Sequence, residues 1–261
     1  MRKTIKSQQA PALRGTRQGE VGRFRAACLS GDRSAPVHPA AAAFTSSSIT
    51  VAERFHVSSP PELRPRYNIA PRQDVLCVIR NRENHLEPLR WGLIPFWAKD
   101  PAIGNRLINA RAETVAKKPS FRNAFAKHRC VIVVDGFYEW KRDGKRKVPF
   151  YIFLKSRKPF SFAGLYEHWN DLDGNEIRSC TIITTDSNEL VSPLHNRMPV
   201  ILPEDDEELW LDPGEKNYEK LLSLLKPFSA KKMTAYEVGL IVNNTRHDAS
   251  DYIAPAPTSP T

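Results

Sequence analysis

The stretch VIVVDGFYEW, residues 131–140, shows the clearest strand pattern of the chain. Four β-branched residues in a row are typical of a buried strand, and the Asp-Gly pair that follows favours a turn. A single carboxylate, Glu139, then stands between Tyr138 and Trp140. One interpretation is a surface acid at a strand end that pairs with a neighbouring basic residue. The other is a carboxylate held among aromatic rings, whose pKa is raised and which can transfer protons.

Short strands separated by turn signals recur along the rest of the chain. We predict strands at residues 75–80, 130–134, 148–154, 160–166, 179–185, 199–202 and 235–242. We predict helices at residues 120–127, 186–192, 205–211 and 217–225, and a further short helix capped by Ser47 or Ser48. Many strands with a few short helices predict an α+β fold: a single domain with a curved, mostly antiparallel β-rich core and peripheral short helices.

The two ends of the chain differ in composition from its middle. Residues 1–43 are rich in Arg, Gln, Ser, Pro and Ala without a helical or strand period, so we expect a disordered leader or one unrelated to the domain. An Arg-rich, acid-poor leader also fits an organellar transit peptide, although an amphipathic face is hard to find. The domain is predicted over residues 44–253, and a disordered tail over residues 254–261.

The net charge of +10 is concentrated at the start of the chain. Residues 1–52 hold eight Lys and Arg but two acids, so +6 belongs to this segment and +4 to the remainder. A basic body favours a polyanionic partner, but a solvated surface with a basic tail explains the charge equally well. Because no apolar run is long enough to cross a bilayer, we expect no membrane association.

The four cysteines form no CxxC pair. Cys77, Cys130 and Cys180 lie inside apolar runs, which predicts reduced thiols in the core. A disulfide framework or a structural zinc site has little support, and we expect neither a metal nor a cofactor.

Three further stretches carry candidate functional residues. In RWGLIPFWAKD (90–100), Trp91 and Trp97 are either core residues or an aromatic wedge that stacks on unpaired bases. In LINARAET (107–114), Asn109 and Arg111 share one side if the segment is extended, but Asn109 is an equally good N-cap for a helix.

The third stretch, SPLHNRMPVIL (192–202), places His195 and Arg197 in a loop before a strand. Histidine titrates near neutrality and arginine binds phosphate, and polar residues on loops held by rigid strands often carry function. An acid, a histidine and an amide on separate segments form a site only where the fold brings them together.

Taken together, these stretches resemble the SOS response-associated peptidase (SRAP) family, whose members are also described as abasic site processing proteins. The resemblance runs from about Phe44 to Ile253 and also includes PRYNIAP, PSFRNAFAKHRCVIVVDGFYEW, FAGLYEHW, CTIITTDSNELVSPLHNRMPVIL and YEVGLIVNN. It implies a compact β-rich domain, monomeric and cytoplasmic as in bacteria, which joins the nucleoid when DNA is damaged. The implied partner is single-stranded DNA that contains abasic sites.

The resemblance also implies a defined chemistry with autopeptidase and lyase-type activity. Removal of the initiator Met exposes an N-terminal Cys, whose amine and thiol attack the ring-opened aldehyde of the abasic site. The product is a thiazolidine that links the protein covalently to DNA. Imine formation activates the carbon, and the adjacent thiolate closes a five-membered ring at high effective concentration.

By resemblance, Glu139 is the acid and base beside the amine, and in precursors it assists the cleavage that frees the Cys. His195 handles protons on the opened sugar, and Asn109 is the orienting amide. The residues implied in DNA binding are Arg111 and Arg197 at phosphates, Trp91 and Gly92 in the wedge, Asn68 and Pro71 in the pocket wall, and Arg122 at the backbone.

This chain departs from the family at the nucleophile. Alignment back from AERF (52–55) places Ala41 where the family has its Cys, and the alternative anchor VGRF (21–24) places Val21 there. Three explanations follow: a different start site, a pseudoenzyme that binds single-stranded DNA without a covalent step, or cleavage that exposes Cys28, the nearest thiol. We favour the first, and a simple protease ranks last because a nucleophile beside a base is lacking.

Overall fold

The stretch 131–140 spans two strands that belong to two different sheets. The computed structural model of the protein describes residues 41–144, 146–245 and 248–257. The strands are β1 (Ala41–Phe44), β2 (Arg66–Ile69), β3 (Asp74–Arg80), β4 (Asn84–Trp91), β5 (Asn109–Arg111), β6 (Arg129–Val134), β7 (Gly136–Asp143), β8 (Arg146–Leu154), β9 (Phe160–Asn170), β10 (Glu176–Asp186), β11 (Arg197–Pro199), β12 (Ile201–Leu202) and β13 (Met233–Glu237). The α-helices are α1 (Ser48–Phe55), α2 (Arg122–Lys127), α3 (Glu204–Leu211) and α4 (Tyr218–Ser223), and 3₁₀ helices span Pro101–Arg106, Ala230–Lys232, Leu240–Asn243 and Ser250–Ile253.

The larger sheet closes on itself. Its strands follow the order β11-β10-β4-β3-β6-β9-β12, and β10 also pairs with β9. Strands β10, β4, β3, β6 and β9 therefore form a closed ring, as in a small barrel. Strand β6 lies between β3 and β9 and is buried along its whole length, which explains its run of β-branched residues.

The smaller sheet is antiparallel, with the order β13-β8-β7-β1-β2. The chain passes from the ring into this sheet at Asp135 and Gly136. A Cβ atom at position 136 would lie 2.3 Å from the ring of Tyr151, so this close approach requires glycine. The Asp135 carboxylate accepts hydrogen bonds from the Ser46 backbone N–H (2.8 Å) and hydroxyl (2.5 Å), which ties the end of β1 to the junction. The junction therefore fixes where β7 and Glu139 lie.

The predicted fold class is confirmed, and most predicted elements are present. Ser47 caps α1 by accepting a hydrogen bond from the Thr50 N–H. The helix predicted at 186–192 is wrong, because these residues form turns in which the Asn188 side chain accepts hydrogen bonds from the N–H groups of Leu190 and Val191. The strand predicted at 235–242 ends at Glu237, and a 3₁₀ turn follows.

The ordered domain begins earlier and ends later than the boundaries drawn from the sequence. Strand β1 starts at Ala41, and its alanines are buried between β2 and β7, so this low-complexity run belongs to the sheet. Residues 254–257 are also ordered, since Ala256 N–H donates to Glu237 O at 2.8 Å and Pro255 pairs with Val238. Two parts of these predictions lie outside the described residues: residues 1–40 of the predicted leader and residues 258–261 of the predicted tail.

Three thiols lie in the core as predicted. Cys77, Cys130 and Cys180 are fully buried and unpaired by disulfides, and burial raises the pKa of each thiol. Among the described residues, no helix has the length and apolar character needed to span a membrane.

Candidate functional site

A cavity of about 540 Å³ is lined by residues of both sheets. The smaller sheet contributes β1 and β7, and the larger sheet contributes the ends of β4, β5, β10 and β11 together with Phe162 of β9. The lining residues are Ala41, Ala42, Trp91, Asn109, Arg111, Phe137, Tyr138, Glu139, Phe162, Ile182, Thr184, Asp186, His195, Asn196, Arg197, Met198 and Pro199. The fold therefore gathers the acid, the histidine and the amide from three separate segments into one space.

Glu139 faces this cavity from β7 and not the bulk solvent. Its sequence neighbours Tyr138 and Trp140 are buried, and the Glu139 side chain is half-buried. Because side chains alternate along a strand, Glu139 shares its face with Phe137 and not with these two rings. Burial raises the pKa of Glu139 to about 8, although a hydrogen bond from the Trp140 backbone opposes the shift. The interpretation of Glu139 as a surface acid is therefore wrong, and burial favours the protonated form of its carboxyl group.

Glu139→Gln is expected to raise the free energy of unfolding at alkaline pH. Between its ordinary pKa of 4.5 and about 8, the folded protein keeps a proton on Glu139 that the unfolded chain has lost. The associated stability is complete below about pH 4.5 and is lost as the pH rises through about 8. In thermal unfolding, the stability of the Gln variant relative to the parent should be higher at about pH 9 than at about pH 5 by about 4 kcal/mol. An equal difference at both pH values would contradict the raised pKa.

Backbone groups of its own loop contact His195. Its backbone N–H donates to Val191 O at 2.9 Å, which closes the loop that follows β10. The His195 Nδ1 atom lies 3.0 Å from both the backbone N and the backbone O of Arg197, so whether Nδ1 accepts or donates depends on the tautomer of the ring. Either contact fixes the orientation of the ring relative to Arg197.

Asn109 and Arg111 line the cavity from β5, which pairs in parallel with β10 at Ile182 and Thr184. The alternative of a helix capped by Asn109 is wrong. In the extended conformation, residues two apart share a face, so both side chains reach the same space.

Arg197 already carries an ion-pair network at the cavity wall. Its guanidinium binds the Glu113 carboxylate at 2.7 and 3.0 Å, Asp186 at 2.9 Å and Thr184 O at 2.7 Å. The hydrogen bond from Arg197 lowers the pKa of Glu113. Arg111 is exposed, so the two arginines implied in phosphate binding differ: Arg111 is open to solvent and Arg197 is neutralised by two acids.

The wedge implied at Trp91 and Gly92 is not exposed in this structure. Trp91 is 1% exposed, and its indole N–H donates to Ile108 O at 2.8 Å. Gly92 has a φ of +137°, and a Cβ there would lie 2.6 Å from Gly104 O. Trp91 is the last residue of β4 and lines the cavity wall, and Gly92 follows it directly. The exposed rings of this loop are Phe96 and Trp97, at 56% and 47%.

Three implied DNA-binding residues do not line the cavity. Asn68 is buried, and its amide donates to Val242 O at 3.0 Å, which anchors β2 to the segment after β13. Pro71 is half-buried in the turn before β3, and Arg122 is exposed at the start of α2. The sequence did not single out Glu113 and Asp186, because only the fold brings their carboxylates to Arg197. In the described part of the chain, no cluster of His, Cys, Asp and Glu has a geometry that could hold a metal ion.

Fold and cavity together define a β-rich domain whose two sheets enclose a cavity lined by an acid, a histidine and an amide. Similar solved structures include a protein from Bacteroides thetaiotaomicron, with a TM-score of 0.76 and 32% identity, covering 83% of this chain and 99% of that one. A protein from Bordetella bronchiseptica has a TM-score of 0.69 and 25% identity, covering 78% of this chain and all of its own.

The sequence profile of the SOS response associated peptidase (SRAP) family matches residues 40–245. The abasic site processing protein YoqW of Bacillus subtilis is 48% identical over 208 residues, which cover 78% of this chain and 93% of YoqW. The abasic site processing protein HMCES of Xenopus tropicalis is 32% identical over 223 residues, 73% of this chain and 66% of HMCES. The chain therefore belongs to the SRAP family, which confirms the resemblance found in its motifs.

Proposed function

We propose that this protein binds single-stranded DNA at abasic sites and processes the ring-opened sugar in the cavity. The observation that carries the proposal is the convergence of Glu139, His195 and Asn109 on one cavity with Arg111 beside them. Relatives that share nearly half of the sequence are named abasic site processing proteins. The exposed Arg111 suits a phosphate beside the abasic sugar, and the Asn109, Glu139 and His195 side chains suit the sugar itself.

Each of the three central residues has a role in this chemistry. Burial favours the protonated form of Glu139, which donates its proton to the aldehyde oxygen of the opened sugar. His195 accepts and returns protons on the sugar, and its ring is positioned at the cavity by the Arg197 backbone. Asn109 orients the sugar through its amide. This combination supports lyase-type or peptidase-type chemistry.

The residue at position 41 determines which covalent product the chain can form with the sugar. Strand β1 begins in the cavity, with Ala41 paired to Tyr138 and therefore beside Glu139. This is the position that the motif alignment assigns to the family's Cys. Alanine has no thiol, so the sequence as it stands forms no thiazolidine, whereas a free amine at this position would form a reversible imine.

A second candidate function is non-covalent binding of single-stranded DNA. The observation that favours it is Ala41 itself, because the cavity then binds the opened sugar without a covalent step. A denaturing gel separates the two functions after incubation with an abasic oligonucleotide and borohydride reduction. A reduced protein–DNA adduct supports imine chemistry, and its absence supports the binding module.

Trp97→Ala tests the DNA contact that both functions share. A base stacked on an exposed aromatic ring contributes about 1–3 kcal/mol, so the affinity for an abasic single strand should fall about 5- to 150-fold. Trp97→Phe keeps a stacking ring and should stay within a few-fold of the wild type. Fluorescence anisotropy with abasic, intact and duplex oligonucleotides measures both variants. A wild-type chain with equal affinity for all three would refute the proposed function.

A further inference from the structure

A basic surface lies beside the loop that carries His195. Six exposed side chains form it, and we call this surface the basic ridge: Lys155, Arg157, Lys158, Lys226, Lys231 and Lys232. They belong to two segments that are distant in sequence, residues 154–159 and 223–234, and neither segment contains an Asp or a Glu.

The fold joins these segments side by side. Met233 at the start of β13 pairs with Leu154 at the end of β8, and the Lys155 N–H donates to Lys232 O at 2.9 Å. Six like charges are thus brought together, which costs free energy unless a polyanion is bound. Glu189 is an acid near this surface, since it lines a shallow depression together with Lys231.

Part of the ridge is held rigidly. The Arg157 guanidinium lies 3.9 Å from the centroid of the Phe153 ring, and the backbone of Arg157 adopts a left-handed conformation with φ of +58°. The guanidinium also hydrogen-bonds the Tyr236 side chain, and its remaining N–H groups at the ring edge suit phosphate oxygens. Lys232 lies 6.0 Å from the Phe228 ring, so two of the six cations are placed by aromatic neighbours.

Hydrogen bonds connect a segment of the ridge to the loop that carries His195. Asn188 stands two residues after the cavity residue Asp186, and its amide donates to Phe228 O at 2.8 Å. The same side chain accepts a hydrogen bond from the Val191 N–H, and Val191 O in turn accepts the one from His195. The segment that carries Lys226, Lys231 and Lys232 is therefore packed against the His195 loop.

We propose that the basic ridge binds the phosphate backbone of the nucleic acid strand that leaves the cavity past His195. This inference rests on the proposed function, because it makes the ridge an extension of the same single-stranded DNA site. The partner is the sugar–phosphate backbone, since lysine ammonium groups contact phosphates and carry no base-reading geometry.

A charge-neutralised variant tests the ridge: Lys155→Gln, Lys158→Gln and Lys231→Gln together. Arg157 is left intact because it packs on Phe153. The matched control removes three lysines around α2 and α4: Lys127→Gln, Lys216→Gln and Lys220→Gln. Binding is measured against salt concentration with a single strand of about 5 nucleotides and one of about 25 nucleotides, sizes below and above a typical single-strand site.

With the long strand, the slope of log K against log salt concentration should be smaller in magnitude for the ridge variant than for the wild type, by about 2. The reason is that each lysine that no longer neutralises a phosphate removes about 0.7 from this slope. With the short strand, it should match the wild type, and the control should match the wild type with both. An unchanged slope on the long strand overturns the ridge proposal, and so does an equal reduction in the control. Binding to phosphatidylserine vesicles that depends on the ridge, without an effect on DNA, would overturn it in favour of a membrane.

Failure of the ridge and failure of the proposed function give different results. If the long strand shows the ridge-dependent slope but an abasic site does not improve binding, the ridge stands and the proposed function falls. If abasic strands are preferred and the slope is unchanged, the ridge falls and the proposed function stands.

Discussion

A chain that begins at residue 41 and carries Ala41→Cys, here called the N-terminal thiol chain, should form a covalent complex with an abasic single strand that survives boiling in SDS. Residue 41 lines the cavity beside Glu139, so the new amine and thiol would both face the opened sugar. The amine condenses with the aldehyde and releases one water, and the thiolate then adds to the imine carbon to close the ring. Effective concentrations in well-oriented intramolecular reactions are on the order of 10⁵ M or more, so ring closure should dominate over imine hydrolysis.

Two control chains isolate the amine and the thiol. The chain that begins at Ala41 has the amine alone, and its adduct should appear only after borohydride reduction. The full-length Ala41→Cys chain has the thiol but a peptide bond in place of the amine, and it should give no heat-stable band. If the N-terminal thiol chain binds the abasic strand but leaves no heat-stable band, position 41 is not the nucleophile position.

In the N-terminal thiol chain, Glu139→Gln should slow covalent trapping by about 10²- to 10⁴-fold, the usual contribution of a positioned acid or base. Glutamine keeps the shape of the side chain but cannot donate a proton to the aldehyde oxygen. Because burial raises the pKa of Glu139 to about 8, the parent chain should lose rate as the pH rises above that value. Quenched time courses on denaturing gels from about pH 6 to about pH 9 measure both effects.

The affinity for the strand separates catalysis from binding. Glu139→Gln should leave the dissociation constant for an abasic strand within a few-fold of the parent value, because burial favours the neutral form of Glu139 and glutamine is neutral as well. A variant that traps DNA at the parent rate, with the same pH dependence, would remove Glu139 from the reaction. Loss of affinity in parallel with loss of rate would assign Glu139 a binding role instead.

The sequence predicted the fold class well because its strands are strongly patterned. The run of β-branched residues in β6 belongs to a strand buried on both faces. Such a strand is apolar throughout, so it is recognisable without an alternation of apolar and polar residues. Strand β4 escaped prediction because Glu87 and Pro88 interrupt it, and its role in the ring depends on pairing with β10 far along the chain. Residues 186–192 form turns because the Asn188 side chain hydrogen-bonds backbone N–H groups that a helix would leave to its own carbonyls. The apolar periodicity of the sequence does not reveal this hydrogen bonding.

The candidate site was also predicted only in part from the sequence. Glu139, His195 and Asn109 were identified through motifs, and the fold brings them to one cavity. The two tryptophans of one loop were not distinguishable from spacing, yet Trp91 is buried and Trp97 is exposed. The pairing of Arg197 with Glu113 and Asp186 also depends on tertiary contacts between segments separated by 84 and 11 residues.

The closed ring has a consequence for synthesis on the ribosome. Strand β10 pairs with both β4 and β9, and it is the last of the five ring strands to leave the exit tunnel. Until it emerges, β4 and β9 present unpaired edges, and such edges invite association with other nascent chains. The loop with His195 follows β10 directly. Completion of the barrel and assembly of the cavity are therefore nearly simultaneous, so a truncated translation product that lacks β10 would be aggregation-prone and would lack the complete cavity.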